Sequence, residues 1–103
     1  RELAEDGILI LSVVLDKSGR IVGEIRLESR GFIHSSDATA LYEEIRKAVL
    51  KALGGAGEKD ILEPENLEMR IRGRVKEVIR RLTRGTPNVL PMVTILDRTE
   101  ATV

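Results

Sequence analysis

The chain has 103 residues, of which 42% are hydrophobic and 33% charged, and its formal net charge is zero. This balance is typical of one globular domain over residues 1–103, with an aliphatic core because only 2% of residues are aromatic. The absence of cysteine excludes disulfides and a thiolate metal site. No apolar run reaches the roughly eighteen residues of a membrane span. We expect a cytoplasmic location and no membrane partner. Because Arg1 rather than a methionine opens the chain, we expect it to be a piece of a longer protein.

The most apolar stretch is Gly7–Asp16, which predicts the first strand. Both of its alternating faces are apolar, a pattern typical of a central strand that is covered above and below. Asp16–Gly19 predicts a tight turn, and Arg20–Ser29 predicts a second strand that pairs with the first as an antiparallel hairpin. Gly23 indicates either a bulge or a close backbone approach within that strand.

Two amphipathic helices are predicted next. The first runs over Asp37–Leu53, with Ser35 or Ser36 as its N-cap. The loop Gly54–Glu63 follows, and Pro64 opens a second helix over 64–84 that Gly85 closes. The sequence therefore places two helices between the hairpin and the last strand.

The last predicted strand is Val89–Leu96. Pro91 within it indicates either an edge strand or a strand that starts late, because proline has no N–H to donate. The element order ββααβ predicts an α+β fold: a three-stranded sheet in the order 2-1-3, with two helices packed on one face. The third strand then runs parallel to the first, through a right-handed crossover.

Two helices cover only one face of this sheet, although the first strand is apolar on both. The uncovered face predicts contact with a partner, either a second copy of this chain or another domain of a longer protein. The alternative is a set of singly exposed apolar residues. Leu50 lies off the apolar stripe of its helix and indicates a further contact. The candidate interface residues are Ile8, Ile10, Val14 and Leu50.

Positive charge is concentrated between residues 64 and 88, which hold seven basic and three acidic side chains. Guanidinium groups bind phosphates, so one interpretation is a sequence-independent contact with RNA. The other is a solvated helix face. The candidate RNA-contact residues are Arg70, Arg72, Arg74, Lys76, Arg80, Arg81 and Arg84.

The sequence predicts no catalytic and no metal-binding residue. The chain has one histidine, His34, and no nucleophile motif of the G-x-S-x-G type. Gly54–Gly57 matches the G-x-x-G clamp of KH nucleic-acid-binding domains, which gives a KH-like RNA-binding module as an alternative function. The other interpretation of these glycines is a helix stop followed by a loop.

The chain resembles the C-terminal domain of ribonuclease J, a nuclease of the metallo-β-lactamase/β-CASP family. The resemblance lies in Arg1–Leu15 (RELAEDGILILSVVL), Ser29–Phe32 (SRGF), Leu90–Val93 (LPMV) and the basic helix Ile71–Leu82. It implies an accessory domain of an enzyme that degrades and processes RNA as a 5′→3′ exonuclease and an endonuclease. It further implies that zinc belongs to a separate catalytic domain, that this domain has no cofactor, and that it supports homodimers or higher oligomers. The expected partners are its own copy, the catalytic domains of the enzyme, or both, and the basic helix adds RNA as a further candidate.

Overall fold

The computed structural model describes residues 7–31, 38–83 and 85–97. These residues form three strands and three helices. In chain order they are β1 (Ile8–Asp16), β2 (Arg26–Arg30), α1 (Ala38–Leu53), α2 (Glu58–Leu62), α3 (Pro64–Leu82) and β3 (Asn88–Leu96). None of the described helices combines the length and the apolar character that a membrane span needs.

β1 is the central strand of a single mixed sheet. It pairs antiparallel with β2 and parallel with β3, so the sheet order is β2-β1-β3. The predicted α+β class, the strand order and the parallel return of the chain are therefore confirmed. Pro91 lies on β3, which is an edge strand as its missing N–H predicts.

The core lies between the sheet and the two long helices. The odd-numbered residues of β1, from Leu9 to Leu15, are fully buried because they point towards the helices. Each long helix buries one apolar stripe against them, as the 3.6-residue period predicts. The buried helical residues are Leu41, Ile45, Ala48, Val49, Ala52 and Leu53 on α1, and Leu67, Ile71, Val75 and Ile79 on α3.

The predicted turn between the first two strands is present, but the second strand is shorter than predicted. Asp16 organises the turn, since its carboxylate accepts the Ser18 and Arg20 N–H groups at 2.9 and 3.0 Å. The regular ladder covers only Arg26–Arg30, rather than Arg20–Ser29. Upstream of it, Ile21 pairs with Leu15, two residues out of register with the ladder. Gly23 has a φ of +80° within the extra residues, so the bulge interpretation of this glycine is correct.

The segment predicted as a loop between the two long helices contains the short helix α2. Gly57 precedes it in extended conformation, and its N–H donates to the Asp60 carboxylate at 3.1 Å. This contact satisfies a backbone donor at the start of the helix, which explains why a polar segment becomes helical here. Pro64 begins α3 as predicted. The predicted N-caps Ser35 and Ser36 lie outside the described residues.

Helix α3 ends at Leu82, two residues before the predicted end. Thr83 caps the C-terminus of the helix: its N–H and its hydroxyl both donate to the Ile79 carbonyl, at 2.8 and 2.9 Å. The Gly85 N–H then donates to the Thr83 hydroxyl at 3.0 Å. A threonine, not the glycine alone, therefore stops the helix.

Candidate functional site

The face of the sheet that the helices leave uncovered is apolar along β1 and β3. Ile8, Ile10 and Val14 lie there, as predicted, and are half-buried. Pairing brings β3 side chains beside them, with Leu90 opposite Ile10. We call this surface the outer sheet face. Its apolar side chains are Ile8, Ile10, Val14, Leu90, Met92 and Leu96.

The β3 half of the outer sheet face is the more exposed half, and the sequence analysis did not assign it. Leu90 is 41% exposed, Met92 52% and Leu96 36%. The sequence does carry a signal for this half, because most even-numbered and most odd-numbered residues of Leu90–Leu96 are apolar, as in β1. Leu50 is 52% exposed but lies on α1, which covers the opposite face of the sheet. The structure therefore does not bring Leu50 together with the other candidate interface residues.

Charged side chains border the outer sheet face along β2. Arg26, Glu28 and Arg30 are exposed and lie opposite Ser12, Ile10 and Ile8 of β1. The Arg30 guanidinium lies 3.5 Å from the Glu28 carboxylate. The row alternates positive, negative and positive, so an antiparallel copy of it brings opposite charges together only when it is shifted by one position along the row.

The free edge of β3 is covered by side chains of α3. The Asn88 N–H donates to the Gly7 carbonyl, so even-numbered backbone groups of β3 face β1 and odd-numbered ones face outward. Of the outward groups, the Val93 N–H donates to Glu68 at 2.9 Å and the Val89 carbonyl accepts from Arg72 at 3.2 Å. The position between them is Pro91, which has no N–H. These three positions therefore disfavour pairing of this edge with another strand.

Two of the candidate RNA-contact residues hold the fold together. The Arg72 guanidinium donates to the Val89 carbonyl at the free edge of β3. The Arg70 guanidinium donates to the Ala52 carbonyl at 3.1 Å and forms an ion pair with Asp60 at 3.2 Å, which joins α1, α2 and α3. These contacts compete with any role in binding phosphate.

The other basic residues of α3 divide between two sides of the helix. Arg74 and Arg81 face α1, and Lys76 and Arg80 lie near Gly85–Pro87 on the other side. Arg84 lies outside the described residues. The structure thus separates the six described candidates instead of gathering them on one surface.

Arg74 and Arg81 line a groove between α1 and α3, which we call the helix groove. Across from them α1 contributes Lys47 and Lys51. Within the described part of the chain, Lys51, Arg74 and Arg81 form no ion pair or hydrogen bond, whereas Lys47 lies 3.4 Å from Glu44. The groove is lined by Glu44, Lys47, Ala48, Lys51, Arg74, Glu77, Val78 and Arg81.

The Gly54–Gly57 loop has the structure of a helix stop. The Gly54 N–H donates to carbonyls of the last turn of α1, and Gly55 has a φ of +79°. The Gly57 N–H, which a clamp would offer to a phosphate, is bound by the Asp60 carboxylate. That hydrogen bond is the main reason why the pKa of Asp60 lies below its ordinary value, with Arg70 and Lys59 adding to the shift against an opposing effect of burial. An anionic carboxylate in this place disfavours phosphate binding.

Among the described residues, no group of three or more histidine, cysteine, aspartate or glutamate side chains is arranged to hold a metal ion. His34 lies outside those residues. The donor set of the described part therefore does not fit zinc. The expectation that this domain carries no catalytic residue and no cofactor stays a prediction.

Comparison with known proteins identifies relatives of one kind. A family model described as Ribonuclease J C-terminal domain matches residues 1–96. Ribonuclease J 2 of Staphylococcus epidermidis is 28% identical over 92 residues, which are 88% of this chain and 16% of that protein. Ribonuclease J 2 of Staphylococcus aureus is 27% identical over the same length and share. The chain thus spans about one-sixth of the relatives that it matches.

Proposed function

Because the chain belongs to the ribonuclease J C-terminal domain family, we propose that it is an accessory domain that assembles an RNA-degrading and RNA-processing enzyme. In this proposal the outer sheet face binds the same face of a second copy. The observation that carries it is the exposure of Leu90, Met92 and Leu96 beside the half-buried Ile10 and Val14. Covering these side chains removes apolar surface from water, which favours association.

A second copy fits this surface better than an added strand does. On the free edge of β3 the Val93 N–H and the Val89 carbonyl are already bound by Glu68 and Arg72, so an added strand gains fewer hydrogen bonds there. A face-to-face arrangement about a two-fold axis uses the apolar rows of β1 and β3.

The size of the surface sets the expected strength of association. Nine residues of strand are about 30 Å long and three strands about 14 Å wide, which gives at most about 400 Å² per copy. Stable interfaces bury about 800 Å² per partner. We therefore expect the isolated chain to dimerise weakly, with contacts from the rest of the enzyme completing a stable homodimer or higher oligomer.

Catalysis in this proposal belongs to other parts of the enzyme. The relatives are named ribonucleases, and this chain corresponds to about one-sixth of each. We place hydrolysis of RNA, and the zinc that the family resemblance implies, in a separate catalytic domain. Incubation of the 103-residue chain with labelled RNA and zinc is expected to leave the RNA intact, and authentic turnover would contradict the assignment.

Sedimentation equilibrium over a wide concentration range tests the assembly surface. We expect reversible dimers of the wild-type chain at high concentration and a monomer for Met92→Lys, which puts a charge at the centre of the outer sheet face. The matched control is Met69→Lys, because Met69 is 68% exposed on α3, away from the sheet face. A wild-type chain that stays monomeric at all concentrations would exclude the second copy as the occupant and leave the catalytic domains.

A further inference from the structure

We propose that the helix groove binds the phosphate backbone of single-stranded RNA through Lys47, Lys51, Arg74 and Arg81. This site is separate from the outer sheet face, and it rests on the proposed function only for the choice of RNA as the polyanion. It also reduces the candidate RNA-contact residues from the whole of α3 to two of its arginines, with two lysines from α1.

The geometry supports a binding groove rather than a solvated helix face. Arg74 and Arg81 are seven residues apart on α3, which places them two helical turns apart along the same side, about 10 Å. Lys47 and Lys51 are one turn apart on the facing side of α1. The cations come from both walls of one groove, so an extended anionic chain that lies in it contacts several of them together.

The state of the side chains supports the same conclusion. Lys51, Arg74 and Arg81 have no intramolecular partner in the described part of the chain, so binding a phosphate through these three breaks no existing contact, and only Lys47 has to exchange its Glu44 partner. Arg70 and Arg72, by contrast, are held by backbone carbonyls and cannot reach a ligand without loss of structure. Ion pairing of free guanidinium groups with phosphate is bidentate and strong.

The chemistry of the groove limits what it recognises. The chain has one phenylalanine and one tyrosine; Tyr42 does not line the groove, Phe32 lies outside the described residues, and no described residue of the groove is aromatic. Without aromatic platforms for bases, contacts are confined to the backbone and are independent of sequence. Glu44 and Glu77 also line the groove and repel phosphate, which leaves a net charge of two positive units and keeps the affinity low. We therefore expect weak binding that falls steeply with salt.

Fluorescence anisotropy of a labelled twelve-nucleotide polyuridylate, titrated with the 103-residue chain at several salt concentrations, tests the proposal. The groove variant is Arg74→Gln with Arg81→Gln. The control is Lys76→Gln with Arg80→Gln, which removes the same charge from the other side of the same helix. We expect the groove variant to lose about tenfold or more in affinity, and the slope of log K against log salt to become shallower by about 1.4. The control is expected to lose about threefold or less.

Equal losses in the two variants would overturn the proposal, because net charge rather than the groove would then determine binding. Absence of binding by the wild-type chain at low salt would overturn it as well, as would stronger competition by polyglutamate peptides than by unlabelled polyuridylate. Thermal unfolding of each variant establishes that the fold is retained. Sedimentation of the groove variant separates this result from the assembly proposal, because its outer sheet face is unchanged.

Discussion

The Glu68 carboxylate on α3 accepts a hydrogen bond from the Val93 backbone N–H on β3 at 2.9 Å. A helix side chain therefore satisfies a donor on the free edge of the sheet. The same helix supplies Arg72 to the Val89 carbonyl, and Pro91 lies between the two contacts. These contacts protect part of the β3 edge against further strands, which favours the outer sheet face as the surface for a partner.

The Glu68 contact predicts a loss of stability when its acceptor is removed. Glu68→Ala leaves the Val93 N–H without its partner, and we expect a decrease of about 1–2 kcal/mol in the free energy of unfolding. Glu68→Gln keeps an acceptor oxygen and is expected to lose less. Urea unfolding measures both, with Glu65→Ala, an exposed substitution on the same helix, as the control. Faster hydrogen exchange at Val93 in the alanine variant would locate the effect, and an unchanged rate would contradict it.

A pair of glycine substitutions is predicted to have opposite effects. Gly7 has a φ of +80°, and a Cβ there would lie 2.3 Å from the Arg30 carbonyl oxygen, so Gly7→Ala is expected to destabilise the fold by more than about 2 kcal/mol. Gly73 lies within α3 with open space around it, so Gly73→Ala is expected to stabilise by about 0.5–1 kcal/mol. Thermal unfolding compares them. Tolerance of Gly7→Ala would contradict the close approach of the ends of β1 and β2.

The packing of α3 on the sheet predicts a large effect of truncating its stripe. Ile71 is fully buried, and Ile71→Ala is expected to cost about 2–5 kcal/mol because it removes apolar contacts and leaves a cavity. Met69, two residues away, is 68% exposed, and Met69→Ala is expected to change stability by about 0.5 kcal/mol or less. Denaturant unfolding measures the two costs, and equal costs would contradict the orientation of the helix.

Asp60 predicts a pH dependence of stability in the acid range. The Gly57 N–H holds the pKa of its carboxyl below the ordinary value of 3.8, so the folded state binds this proton less readily than the unfolded state. The stabilisation is therefore fully present above pH 3.8 and is lost as the pH falls through the lowered pKa. NMR titration of the Asp60 carboxyl carbon is expected to have its midpoint below 3.8. Asp60→Asn removes this part of the acid dependence, and an unshifted midpoint would contradict the contact.

Local patterns were sufficient to predict most of the fold. The doubly apolar run of β1 predicts its central position, and Pro91 predicts that β3 is an edge strand. Pro64 and the spacing of the apolar residues predict α3. These features are encoded within a few consecutive residues, which is why they can be read without knowledge of the tertiary structure.

Other features of the candidate site could not be predicted, because they depend on contacts between residues that are distant along the chain. The charged pattern of α3 does not tell which arginines are engaged, because the backbone carbonyls that Arg70 and Arg72 bind lie 18 and 17 residues away along the chain. Helix α2 is a different case, because the Gly57–Asp60 hydrogen bond at its start is local, but a polar segment after three glycines is typical of a loop. The β3 half of the outer sheet face can be recognised only from the strand pairing, which places Leu90 beside Ile10.

Cysteine crosslinking tests the central claim, that two copies meet through the outer sheet face, most directly. The chain has no cysteine, so a crosslink formed by a single introduced cysteine shows that this position lies at the contact between two copies. Thr94→Cys places a thiol on the outer sheet face, opposite Val14, and Met69→Cys places one on the exposed side of α3. With a short bismaleimide we predict covalent dimers of Thr94→Cys and only background dimers of Met69→Cys. Equal yields from the two variants, or none from Thr94→Cys at high concentration, would contradict the claim.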